Sequence, residues 1–134
     1  MRKVAIQRRF GSKESSWRRI FELNSFEVAT CDNHDDFRIL LDEDKYDLLI
    51  IELCPRQMVD NLTSLLSIIQ AGNFAPPTII ILQEDMCMLY RSDLKEFVKR
   101  RFFKGRAKIM SKPFVGPDLV SESLGLLENA ALTN

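Results

Sequence analysis

The sequence is poor in most residues that mark a specialised class of protein. Histidine and tryptophan occur once each, and the 134 residues include only three cysteines, five glycines and five prolines. The odd, widely spaced cysteines (Cys31, Cys54, Cys87) exclude a disulfide framework or a zinc module and fit buried thiols in a reducing compartment. So little glycine and proline excludes a collagenous or low-complexity chain. No apolar run approaches the ~20 residues needed to cross a bilayer. The basic start, Met1–Arg9, leads into no apolar segment of signal-peptide length, so a cytoplasmic protein without membrane contact is expected. No GxGxxG, Walker or HExxH pattern occurs. Any Ser-His or Cys-His nucleophile would need His34, which sits among Asp32, Asp35 and Asp36 and is expected to be exposed. Asp32, His34, Asp36 and Glu43 have calcium-loop spacing, but Phe37 stands where such a loop requires glycine, so no metal site is expected.

What remains is a globular pattern. Hydrophobic residues make up 46% of the chain, enough for one core and one domain over 1–134. Short apolar runs alternate with segments of helical spacing. Strands are predicted over 3–7, 26–31, 47–53, 77–82 and 108–110, and helices over 15–24, 33–41, 61–71 and 117–128. Leu48-Leu49-Ile50-Ile51 and Thr78-Ile79-Ile80-Ile81-Leu82 are continuous apolar runs, the pattern of strands buried on both faces. Alternation of this kind gives a parallel sheet with right-handed crossovers and helices on both faces.

The charges cancel in total, nineteen basic against nineteen acidic, but they are segregated along the chain. Residues 1–20 hold seven bases and one acid, residues 22–60 eleven acids and three bases, and residues 91–112 nine bases and two acids. Between 84 and 105 the spacing of Met86, Leu89, Tyr90, Leu94, Phe97, Val98 and Phe102 predicts a fourth helical region of about five turns, either one helix or two shorter ones divided by a local cap at Ser92 and Asp93. Arg91, Lys95, Lys99, Arg100 and Lys104 stand on its other face, either as a solvated surface or as a docking surface for an acidic partner or a phosphate backbone.

In order and spacing, Phe26-Glu27-Val28 with Asp32–Phe37, Tyr46–Ile51, Pro77–Ile81 and Ser111-Lys112-Pro113-Phe114 resemble the receiver domain of two-component response regulators. The resemblance covers nearly the whole chain. It implies a flavodoxin-like (βα)5 three-layer sandwich, strand order 2-1-3-4-5, with the site at the carboxyl ends of strands one, three and five. It also implies a cis bond before Pro113 and output through the face made by helix four, strand five and helix five, as a possible homodimer surface; against that family the fourth helix here reads as roughly two turns longer.

At the site, the residues depart from the family pattern. The two acids that hold Mg²⁺ in an active receiver align with Arg8 and Arg9, and the phosphoacceptor aspartate with Glu52. The hydroxyl residue aligns with Leu82 (or, shifted by one, Gln83), the aromatic switch residue with Ile109, and Lys112 alone is kept. Asn61 stands where the family prefers glycine, tolerated through a positive φ. Guanidinium groups offer no lone pair to a divalent cation, so no cofactor is expected. The pocket is read as a structural ion cluster in which Glu52 pairs with Arg8 or Arg9 and with Lys112. The expected function is a non-enzymatic, phosphorylation-independent protein–protein interaction module. The second reading is an anion- or nucleic-acid-binding regulator using the basic 91–112 block.

Overall fold

A computed structural model describes residues 1–8, 15–53, 58–71, 75–84, 86, 88–102 and 105–133. Five strands alternate with five helices: β1 Arg2–Gln7, α1 Ser15–Leu23, β2 Phe26–Cys31, α2 His34–Glu43, β3 Leu48–Glu52, α3 Met58–Ala71, β4 Thr78–Leu82, α4 Met88–Arg101, β5 Ala107–Ser111 and α5 Gly116–Thr133. All neighbouring strands are parallel and lie in the order β2-β1-β3-β4-β5. This is the flavodoxin-like fold anticipated above.

The two continuous apolar runs form central strands β3 and β4, and every residue of both is buried. Their side chains alternate between two cores, because successive residues of a strand point to opposite faces. On one face Leu49, Ile51, Ile80 and Leu82 pack with Phe37 of α2, Leu65 and Ile68 of α3, and Leu94 and Val98 of α4. On the other, Leu48, Ile50, Ile79 and Ile81 pack with Trp17 and Phe21 of α1 and Leu119, Val120 and Leu126 of α5. Register places Gln7 beside Ile51, and Leu82 beside Ser111, so the carboxyl ends of β1, β3, β4 and β5 lie side by side.

Local signals set the joints. Asn33 caps α2, its side-chain oxygen accepting from the Asp36 N–H at 2.8 Å. Helix α1 ends through Asn24 and Ser25, whose N–H groups reach the carbonyls of Phe21 and Glu22. Ser25 adopts φ +65°, a conformation usually left to glycine at this position.

Two expectations about helices change. Asn61 lies inside α3 rather than at a positive-φ turn, because α3 starts at Met58 and carries it as a buried helical residue. Its amide donates to the Tyr90 hydroxyl at 3.0 Å, tying α3 to α4. Nor do Ser92 and Asp93 divide the periodic stretch, which forms one helix over 88–101. Helix α4 begins at Met88, and Met86 is buried ahead of it, with its sulfur 3.3 Å from the Gln83 N–H.

Candidate functional site at the carboxyl ends of the strands

Glu52 is the last residue of β3 and its side chain is wholly buried. Lys112 follows β5, its N–H extending the ladder to the Leu82 carbonyl at 2.9 Å, and the Lys112–Pro113 bond is cis. From there Lys112 Nζ reaches Glu52 Oε2 at 2.7 Å. The same ammonium lies 5.2 Å from the centroid of the Trp17 ring, within cation–π range. Trp17 in turn stacks on Phe114 at 5.9 Å, so the ring beside the ammonium is itself held by the segment after β5. Glu52 and Lys112 each hold a further interaction. The expected pairing of Glu52 with Lys112 is therefore present.

Of the two arginines expected as alternatives at Glu52, Arg8 is not its partner. Arg8 Nη2 binds Asp32 Oδ1 at 2.9 Å instead. The Arg8 N–H continues the β1–β2 ladder to the Cys31 carbonyl at 2.8 Å, so its side chain leaves the sheet beside the end of β2. There a half-exposed carboxylate is close and the desolvation cost is smaller than at buried Glu52. Arg9 lies outside the described residues.

Leu82 is fully buried in the sheet and Ile109 is partly buried against the same core, so both are packing residues in this arrangement. Gln83 is also buried, and its backbone carbonyl accepts from Arg91 Nη2 at 2.7 Å. Arg91 thus clamps the end of β4 and is no free member of the basic surface. Lys95, Lys99 and Arg100 are exposed on α4, with Arg100 3.5 Å from Glu96. Arg101, not singled out by spacing, lies over the Phe97 ring at 5.8 Å. Lys104 lies outside the described residues, as do Cys54 and Cys87.

The structure overturns the expected exposure of His34. It is buried at the start of α2, with Nδ1 2.8 Å from the Ser64 hydroxyl of α3. That hydroxyl donates to Gln7 Oε1 of β1 at 3.0 Å. Because the serine proton goes to Gln7, the hydroxyl oxygen is left to accept from His34 Nδ1–H. This three-element chain was missed. Its only sequence signals are a glutamine ending an apolar strand and a serine among the apolar positions of α3. Beside it Cys31 is buried, and burial pushes its thiol up to about 12.

Among the described residues no group of three or more His, Cys, Asp and Glu side chains is placed to hold a metal ion. A cleft of about 520 Å³ lies at the opposite end of the sheet, lined by Leu41, Tyr46, Leu49, Ile68 and Pro76 among others. Among the described residues no helix is long and apolar enough to cross a membrane.

With this geometry in place, solved structures give the class. The fold is that of a response-regulator receiver domain. The receiver domain of Francisella response regulator 1452 superposes with a TM-score of 0.70 at 21% identity, covering 96% of this chain and 98% of that one. A receiver protein from Burkholderia phymatum gives 0.67 at 17% identity with 96% of both chains covered. A CheY-like receiver domain from Methanospirillum hungatei gives 0.70 at 13% identity, again with 96% of both covered. No protein-family profile matches the sequence, and no curated protein does.

Proposed function

We propose that this chain is a receiver-fold signalling module that has lost phosphotransfer and acts by contact with a protein partner, without enzymatic activity and without a cofactor. The observation that carries this reading is the pair of departures at the strand ends: buried Glu52 ends β3 with Lys112 2.7 Å away, and Arg8, where a metal-binding acid would stand, is turned to Asp32. In an active receiver the corresponding carboxylate must attack a phosphoryl group with Mg²⁺ beside it. Here the carboxylate is held by an ammonium, and it hangs on a side chain one methylene longer than aspartate. A displacement of ~1 Å from the in-line position can cost on the order of 10²-fold in rate. The residues do not fit the metal either. Arg8 brings a donor-only guanidinium to the end of β1 and is itself held by Asp32. One structural neighbour is described as a transiently phosphorylated switch in bacterial signal transduction, at 20% identity and a TM-score of 0.70. This chain keeps that scaffold, and a fixed charge pair replaces the reactive group.

Incubation with acetyl phosphate and Mg²⁺ followed by mass spectrometry tests the proposal. The mass should not change, and a gain of one phosphoryl group on Glu52 would refute it. The exposed Lys95 and Lys99 favour a second reading, binding of an anion or nucleic acid through the basic block, and salt separates the two. Duplex affinity should fall with a log–log slope of roughly −0.9 per phosphate contacted. A protein contact through one helix face should show a shallower dependence.

A further inference from the structure

The sheet order turns the charge segregation of the sequence into a polarity of the molecule. Helix α2 packs on β1 and β2 at one edge, and α4 makes the crossover from β4 to β5 at the other. Four strand spacings, about 19 Å, separate those edges. Helix α2 carries four acids and one base, whereas α4 carries five bases and two acids. Several of these charges are already satisfied inside the molecule: Arg91 at the Gln83 carbonyl, Arg100 beside Glu96, Arg101 over Phe97, and Asp36 in the cap with Asn33. Asp35 and Asp42 on α2, and Lys95 and Lys99 on α4, are exposed, and among the described residues none of the four has an ion-pair partner.

Each pair shares a helical stripe with an exposed aliphatic side chain. Ile39, 51% exposed, stands between Asp35 and Asp42 at four- and three-residue spacing. Met88, 83% exposed, precedes Ser92, Lys95 and Lys99 along one stripe of α4. The two helices therefore present the same plan, an apolar contact beside charge, with opposite signs. We infer that α4 of one copy of this chain docks on α2 of another, head to tail. Symmetric pairing of α4 with α4 would oppose Lys95 and Lys99 to their own copies, and α2 with α2 would oppose Asp35 and Asp42; like charges in contact disfavour both. The contact is heterologous, so it leaves one acidic and one basic edge free and adds copies in a row. This inference rests on the interaction-module reading and names the partner.

Sedimentation of the full chain over a range of concentrations tests it, at about 20 mM and about 0.5 M salt. The mass should exceed the monomer at low salt and fall toward it at high salt, with affinity weakened on the order of tenfold or more. The variants K95E/K99E and D35K/D42K should each be monomeric with unchanged circular dichroism. Mixing them should restore association, because each then supplies the charge the other lacks. A chain monomeric at low salt, association insensitive to salt, or association surviving either reversal overturns the inference. A monomeric result leaves the proposed loss of phosphotransfer standing, since acetyl phosphate reads that separately.

Discussion

Replacing Lys112 with methionine isolates the energetic role of the buried pair. Methionine keeps most of the aliphatic stem, so packing against Trp17 changes little while the ammonium disappears. Glu52 is then left with a buried carboxylate whose 2.7 Å partner is gone. Removing one member of a buried pair typically costs ~3–5 kcal/mol. The lower end applies here, because the Lys112 side chain retains 19% exposure and Glu52 holds a further interaction. For a chain of 134 residues the unfolding entropy near the midpoint is about 280 cal/mol/K, so ~3 kcal/mol lowers Tm by about 11 °C. Urea unfolding followed by the fluorescence of Trp17, the only tryptophan, measures this directly. Circular dichroism is the second probe, since loss of the cation also alters the native emission. The double variant E52M/K112M supplies the control. With both charges gone and similar volume retained, most of the loss should be recovered, because apolar replacement of a whole buried pair is often neutral or stabilising. A single-variant loss below ~1 kcal/mol, or a double variant as unstable as the sum of its parts, would refute the assignment of a structural ion pair.

Three further outcomes follow from the same geometry. Ser64→Ala should cost about 2–3 kcal/mol in chemical denaturation, because it leaves both His34 Nδ1 and Gln7 Oε1 without their shared hydroxyl in a buried site. Ser25→Gly should raise stability by up to ~1 kcal/mol by relieving the positive φ, with a Tm gain of a few degrees in calorimetry. Cys31 should resist alkylation at pH 8 in the native protein and react once unfolded, as read by peptide mapping. Its thiol is raised on folding from an ordinary value near 9 to about 12, so the folded state holds its proton longer. The resulting stability is fully present below pH 9 and is lost as pH rises toward 12, which a pH series of urea midpoints measures.

The legible parts of the fold are those where one stretch of chain carries the whole signal. The runs 48–51 and 78–82 read as doubly buried strands and are central in the sheet. Asn33 reads as a cap and caps α2. The Glu52–Lys112 pair came from aligning strand ends and is present at 2.7 Å. The illegible parts depend on neighbours distant in sequence. Arg8, one of the two arginines expected at Glu52, goes to Asp32, a choice made by how β2 lies against β1. His34 was expected in solvent, since the acids around it are exposed. It is buried because the first turn of α2 rotates it toward α3, where Ser64 receives it. Arg91 was read as part of a charged face, yet the turn after β4 brings a carbonyl within its reach.

Apolar periodicity alone settled the element order, the two buried strands and the two faces of the core, because hydrophobic burial is additive along the chain and marks each segment separately. The segregation of charge was equally plain in the letters. Its consequence, acids at one edge of the sheet and bases at the other, needed the crossover topology. Beyond the Glu52–Lys112 pair, the charge partners and the buried polar chain were settled in three dimensions only, since a guanidinium or an imidazole pairs with whatever lone pair the packed backbone brings within about 3 Å, and sequence distance carries no record of that.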